Sequence, residues 1–269
     1  MTNMSSQNTS KINHLLKLWP RGTVAVQAWL TAQGISRQLA DSYCQSNWLQ
    51  RIYSGAYIQA GDAVDWTGGV YSLQQQLHLK IHVGGKTALE MQGLGHYVPM
   101  GSNANVWLYQ SIEETRAFPR WFKAYFENSS RFELVKQQLF ASNWDLGLEE
   151  RKFTTYSILL SSPERAVIEC LDGLPNRLSV PHAILLVEKL RTLRPSMLQQ
   201  LLEQCTSVKA KRLFLCFAET QSHNWFAALD LKKVDLGKGN RMIGEGGHFI
   251  RKYGLSLPLC NNEDGEDGI

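Results

Sequence analysis

Between Lys11 and Ala60 the spacing of apolar residues changes twice, and each change marks a new element. Ile12, Leu15, Leu16 and Trp19 recur at helical spacing until Pro20 stops the run and Gly22 turns the chain. Val24, Ala25, Trp29 and Leu30 predict a second short amphipathic helix that ends at Gly34. Past Gly34-Ile35, Ser36 is placed to cap a third helix reaching about Asn47, with Ile35, Leu39 and Tyr43 on its inner face. The outer face is polar: at about 100° per residue Arg37, Asp41 and Gln45 lie along its centre, Gln38 beside them and Ser42 on the flank. From Trp48 the period falls to two, with Leu49, Arg51 and Tyr53 alternating against Gln50, Ile52 and Ser54. Ser54-Gly55 supplies a turn and Ala56 to Gln59 a return strand.

Two short helices joined by a glycine-containing turn and followed at once by a hairpin make a winged helix-turn-helix. In that arrangement the third helix enters the major groove of double-stranded DNA, where Arg and Gln pair with base edges, and the hairpin grips backbone or minor groove. The DNA-binding candidates are therefore Ser36, Arg37, Gln38, Asp41, Ser42 and Gln45 on the helix, with Arg51, Tyr53 and Ser54 on the wing. Asp41 counts against the assignment because it repels phosphate, although a carboxylate can accept from cytosine N4. Three helices and a hairpin also form pure interaction modules, so the pattern leaves both readings open.

Beyond about Asn103 the texture changes. Strand-like runs at Asn105–Tyr109, Arg131–Phe140 and Thr154–Leu160 alternate with helices opening at Ser162-Pro163 and Val180-Pro181. Ser161 and Glu164 form a capping box around Pro163, with Ala166, Val167, Ile168 and Leu171 turned inward. The next helix, to about Leu193, is apolar along Ile184, Leu185 and Leu190. A helix over Ser196–Gln204 precedes β-like Arg212–Phe217 and a strand Phe226–Leu231. The fold class is α+β: an N-terminal winged helix-turn-helix domain, then a mixed α/β domain without a strict βαβ repeat. The expected division is a disordered lead-in 1–10, a DNA-binding domain with helical extension 11–100, a C-terminal domain 101–260 and a disordered acidic tail 261–269.

Composition narrows the classes. Hydrophobic residues at 43% and charged ones at 19% exclude wholesale disorder, and no apolar run reaches the roughly 20 residues a bilayer helix needs. The polar start MTNMSSQNTS lacks the apolar stretch of a signal peptide, so a cytoplasmic location is expected. Cys44, Cys170, Cys205, Cys216 and Cys260 are scattered and odd in number, as befits reduced thiols. The net charge is +4, but Glu263, Asp264, Glu266 and Asp267 sit in the tail, so the remainder leans toward polyanions.

Several short motifs bear on possible chemistry. Gly84 to Thr87 reads GGKT, but Lys80 stands where a phosphate-binding loop needs its first glycine, so a turn into a helix packing through Leu89 and Met91 under the DNA-binding module is expected. His78 and His82 could chelate a metal if helical, but no third ligand is near, and no metal or cofactor is expected. Glu150-Arg151-Lys152 imitates half of a nuclease site, with Asp145 too close to supply the second acid. No GxSxG or HExxH occurs, and an enzyme is not expected. Glu164, Arg165 and Glu169 read as helix-stabilising charges. The stretch 235–258 mixes glycines with Lys238, Arg241, Arg251 and Lys252. A glycine-rich hairpin with solvated charges is favoured there over a flexible surface for RNA, DNA or an acidic partner.

The run GTVAVQAWLTAQGISRQLADSYCQSNWLQRIYSGAYIQAG resembles the N-terminal domain of AbiEi-family antitoxins, in Gly34-Ile35-Ser36, Leu39-Ala40 with Tyr43, Trp48-Leu49 and Gly55-Ala56-Tyr57. The resemblance continues through Gly84-Gly85-Lys86-Thr87-Ala88-Leu89 to His96-Tyr97 and Pro99. It is looser beyond, at Ser162-Pro163-Glu164-Arg165-Ala166 and the glycine-rich segment ending near Tyr253. It implies an antitoxin of a type IV toxin–antitoxin system that represses its own operon by binding inverted repeats. The toxin it opposes would be nucleotidyltransferase-like, with no stable complex required. The alternatives are a winged-helix regulator whose second domain senses a ligand or partner, and a DNA-processing enzyme with a winged-helix targeting module.

Overall fold

A computed structural model describes residues 3–95, 104–141, 144–245 and 247–258 of the chain. It divides into two compact units interleaved in sequence. One takes the chain up to His82, Pro99–Lys136 and Glu150–Leu160; the other takes Val83–Val98, Gln137–Glu149 and everything from Ser161. A five-stranded sheet draws strands from both sides of residue 100.

The first unit opens with α1 (Asn3–Leu18), β1 (Ala25–Val26), α2 (Gln27–Ala32), α3 (Arg37–Gln45), β2 (Leu49–Tyr53) and β3 (Ala56–Gln59). The three strands form an antiparallel sheet in the order β1-β3-β2, which with the helices is a winged helix. Two expectations are corrected. Helix α1 starts at Asn3 where a lead-in was expected, since residues 3–10 contain no proline or glycine to stop it. Ala25 belongs to a strand, paired with Tyr57, and the second helix begins only at Gln27.

The core beneath this module joins Ile12, Leu15, Trp19, Leu30, Ile35, Tyr43, Leu49 and Tyr57. Trp19 is its anchor. The ring meets Trp29 edge-on at 6.1 Å between centroids, and the indole N–H donates to the Thr23 hydroxyl at 3.0 Å. Its carbonyl accepts from the buried Gln59 amide at 2.8 Å.

The first unit continues with α4 (Trp66–Tyr71) and a π turn over Ser72–Gln76, then β4 (Ile81–Val83). Next along the chain are α5 (Gly85–Met91), β5 (Ala104–Gln110), α6 (Arg120–Phe126), β6 (Ser130–Lys136), β7 (Leu148–Lys152) and β8 (Ser157–Ser161). The strands form a five-stranded sheet in the order β6-β5-β4-β8-β7, with β5 and β6 parallel. Two buried glutamines of the π turn join elements that are far apart in sequence. Gln74 donates to the carbonyls of Ile81 and Leu159 and accepts from the Leu159 N–H, while Gln76 accepts from Val26 N–H and donates to the Val24 carbonyl. Buried backbone groups left outside a ladder need such partners. A side chain at Gly68 would sit 1.9 Å from the Gly22 carbonyl oxygen, so only glycine allows this close approach.

Below the π turn, Glu114 is almost fully buried and receives the Lys80 N–H and the Arg116 N–H and guanidinium, while Arg116 also donates to the carbonyls of Leu77 and His78. The hydrogen bonds from the Arg116 side chain are the main cause that lowers its pKa to about 2. A depressed carboxylate stabilises the fold above its ordinary pKa of 4.5, and that contribution is lost as pH falls from there toward 2. In urea titrations between pH 7 and pH 2.5, Glu114→Gln is therefore expected to unfold more easily than wild type at pH 7. The difference should shrink below pH 4.5; a gap of constant size would show that the charge contributes nothing.

The second unit contains α5, α7 (Pro163–Asp172), α8 (Val180–Lys189), α9 (Pro195–Gln204) and α10 (Val208–Thr220). Helix α7 is buried along nearly its whole length and packs against α5, α8, α9 and α10. Helix α5 therefore lies on α7, whereas the sequence placed it under the DNA-binding module. The cap of α7 is Ser162, whose hydroxyl accepts from Arg165 N–H, and the expected Ser161 instead donates to Glu169 at 2.8 Å. In α8 the buried face is Ala183, Leu186 and Val187, and Leu185 points outward. The segment Arg212–Phe217 is helix, not strand, and Phe226–Leu231 forms tight turns at 226–228 and 231–233. A small sheet in the order β10-β11-β9 closes the described chain, with β9 (Arg241–Met242), β10 (His248–Ile250) and β11 (Leu255–Leu257). The tail 261–269, Cys260 and the His96-Tyr97 motif with Pro99 lie outside the described residues.

Candidate nucleic-acid interface

Helix α3 begins where Ser36 accepts the Leu39 N–H at 3.2 Å, and it ends before Asn47, which takes the left-handed conformation at φ 56° and turns the chain into β2. Ala40 and Tyr43 are buried beneath it. Gln27 fixes the turn from below, its amide donating to Thr31 and to the Ile35 carbonyl and its oxygen accepting from the Tyr57 hydroxyl. The polar outer face of α3 therefore stands on a hydrogen-bonded, packed base.

Ser36, Arg37, Gln38, Asp41, Ser42 and Gln45 are all exposed, as are Arg51, Tyr53 and Ser54 on the hairpin. Arg37 makes no ion pair among the described residues. Asp41 and Arg51 do pair, both about half exposed. The Arg51 guanidinium also lies over the Tyr57 ring, 5.4 Å from its centroid. The acid that counted against DNA binding is thus neutralised by a wing cation, and the pair joins the helix face to β2 at one point. A pair this exposed adds little stability, about 0–1 kcal/mol, so its main consequence is where it holds the Arg51 side chain.

The hairpin turns at Gly55 with φ 76°, and a register shift between Arg51 and Tyr53 bulges β2. The strict alternation read from the sequence is broken: Gln50, Arg51 and Tyr53 are all exposed, with Ile52 half-buried between the last two. Trp48, 45% exposed beside this face, was not among the candidates. Its signal is an aromatic residue that the core cluster does not use.

The other candidate chemistries are dispersed by the fold. His78 sits in a turn at φ 50° and His82 in β4, so they share no helix. Among the described residues no group of three His, Cys, Asp or Glu side chains could hold a metal ion. Glu150-Arg151-Lys152 lies along β7, and Gly84 is the N-cap of α5. Cys44, Cys170, Cys205 and Cys216 are free thiols, and burial pushes Cys205 up to about 12. No described helix is long and apolar enough to cross a membrane.

Two family models match the chain. One, described as a transcriptional regulator, AbiEi antitoxin N-terminal domain, matches residues 8–100. The other, described as a transcriptional regulator, AbiEi antitoxin, type IV TA system, matches residues 103–258. The crystal structure of the RV2827C protein from Mycobacterium tuberculosis has a similar fold, with a TM-score of 0.55 over 94% of this chain and 92% of that one, at 14% identity. No curated protein is significantly similar in sequence.

Proposed function

As the chain belongs to the AbiEi antitoxin family of transcriptional regulators, we propose that its winged helix binds inverted repeats in its own promoter and represses the operon. The observation that carries this reading is the continuous polar face of α3, fully exposed above a packed base and flanked by the wing. Arg37, Gln38, Asp41, Ser42 and Gln45 face base edges, Ser36 the helix entry, and Arg51, Tyr53 and Ser54 the adjacent backbone. Two copies would read half-sites about one helical turn, roughly 34 Å, apart. In the same reading the protein opposes a nucleotidyltransferase-like toxin, with no stable complex required.

The test is binding to a labelled duplex from the upstream region against a scrambled duplex, at two salt concentrations. Arg37→Ala is expected to weaken specific binding about 10- to 100-fold, the worth of a bidentate base contact. Arg51→Ala removes a phosphate contact and leaves Asp41 unpaired beside the duplex, so it should weaken both duplexes and flatten the salt dependence. Equal affinity of wild type for both duplexes would defeat the operator reading. The antitoxin half is tested by growth rescue on co-expression with the neighbouring toxin gene.

A further inference from the structure

The closing sheet of the second unit presents an ordered outer face. Met242 and Phe249 are both paired in register with Ser256 of the central strand β11, from its two sides. Residues paired across a sheet share a face. Met242, Ser256 and Phe249 therefore form one row, while Leu255 and Leu257 on the alternate positions are buried. Met242 is 73% exposed and Phe249 43%.

The face is held firmly. Arg212, buried on α10, donates to the carbonyls of Leu236, Gly237, Gly239 and Gly254, and so fixes both glycine turns that flank β9 and β11. Glu219 accepts from the Tyr253 hydroxyl at 2.9 Å and pairs with Lys252. Lys238, before β9, and Arg251, just after β10, are exposed and form no ion pair among the described residues, whereas Arg241, paired with the buried Leu255, falls on the opposite face and donates to the Lys238 and Asn240 carbonyls. Glu245 is the one exposed acid described between Lys238 and Pro258.

We propose that this face binds single-stranded nucleic acid, with bases stacked on Phe249 and packed against Met242, and phosphates met by the exposed Lys238 and Arg251. An exposed aromatic ring on a sheet with two unpaired cations nearby suits a ligand that alternates flat bases with anionic phosphates. An acidic peptide would satisfy the cations but has no planar group for the ring. This site is separate from the winged helix, and does not depend on how that module reads duplex DNA.

The experiment uses the full chain and fluorescent single strands of about 12 nucleotides, one uridine RNA and one thymidine DNA, with a poly-glutamate peptide as the charge control. Wild type is expected to bind at least one of the single strands in the micromolar range, more weakly as salt rises. Phe249→Ala should lose roughly 10-fold, the share of one stacked base, and Phe249→Trp should keep it. Arg37→Ala should bind the single strands like wild type, and Phe249→Ala should bind the promoter duplex like wild type. Both residues are exposed, so folding is not at issue. Preference for RNA or for DNA would each support the proposal and identify the sugar. It is overturned by an absence of single-strand binding up to roughly 100 µM, by poly-glutamate binding as tightly, or by an equal loss in Arg37→Ala.

Discussion

Replacing Trp19 by alanine is expected to destabilise the winged helix by about 3–5 kcal/mol, the range for truncating a fully buried aromatic residue. The residue is 1% exposed, and its loss acts in three ways at once. It opens a cavity at the centre of the cluster that joins α1 to the sheet. It removes the edge contact with Trp29, and it leaves the Thr23 hydroxyl without its indole donor. Trp19→Phe, which keeps a ring but no N–H, should cost less, about 1–3 kcal/mol. Urea unfolding followed by near-ultraviolet circular dichroism orders the two variants. If Trp19→Ala unfolds at the wild-type midpoint, the core beneath α3 is not what holds its polar face. Binding distinguishes this loss from a contact loss: Trp19→Ala should abolish binding to every duplex as the module unfolds, whereas Arg37→Ala stays folded and loses only affinity.

The winged helix could be read from the chain because every signal that defines it is local. Ser36 caps the helix it precedes, Gly55 turns the hairpin it sits in, and Ile35, Leu39 and Tyr43 lie within nine residues of one another. The exposure of Arg37, Gln38 and Gln45 follows directly from that helical period. Pairings across distance were not legible. Nothing in the pattern shows that Asp41 meets Arg51, that Gln74 bridges β4 and β8, or that β4 enters a sheet with β7 and β8. Helix α10 shows a different limit. Its Leu213, Phe214 and Phe217 are buried, but so are Lys211 and Arg212, so the helix has no wet face and its apolar run looks like a buried strand. Arg212 is buried because it serves four carbonyls, a role that becomes visible only once the glycine turns are in place.

The second large effect comes from charges that the sequence presents as ordinary helix pairs. Arg165 and Glu169 are one turn apart on α7, with their side chains 7% and 1% exposed. Arg165 donates to Glu169 at 2.8 Å and to the carbonyls of Trp144 and Leu146, and lies over the Phe140 ring at 4.9 Å. Glu169 also accepts from the Gly85 N–H at 2.9 Å and from Ser161. A second carboxylate on the same helix, Glu164, receives the Arg194 backbone and guanidinium. Burial alone would raise its pKa, but those hydrogen bonds outweigh burial and hold it below the ordinary carboxylate range. Removing one member of a buried pair strands the other, which costs about 3–5 kcal/mol, far beyond the few tenths of an exposed helix pair. Glu169→Ala is expected to lose that much, because it leaves both the Arg165 guanidinium and the Gly85 N–H without their acceptor. Arg165→Met with Glu169→Leu removes both charges together and should recover a large part of the loss. Denaturant midpoints for wild type, Arg165→Met, Glu169→Leu and the double variant form a cycle, with Glu169→Ala measured beside it. A double variant no more stable than Glu169→Ala would mean that the pair acts through its backbone bonds to Gly85, Trp144 and Leu146 alone. Recovery would show that the unpaired buried charge is the damaging element and that the bonds to Gly85, Trp144 and Leu146 are dispensable once both charges are gone.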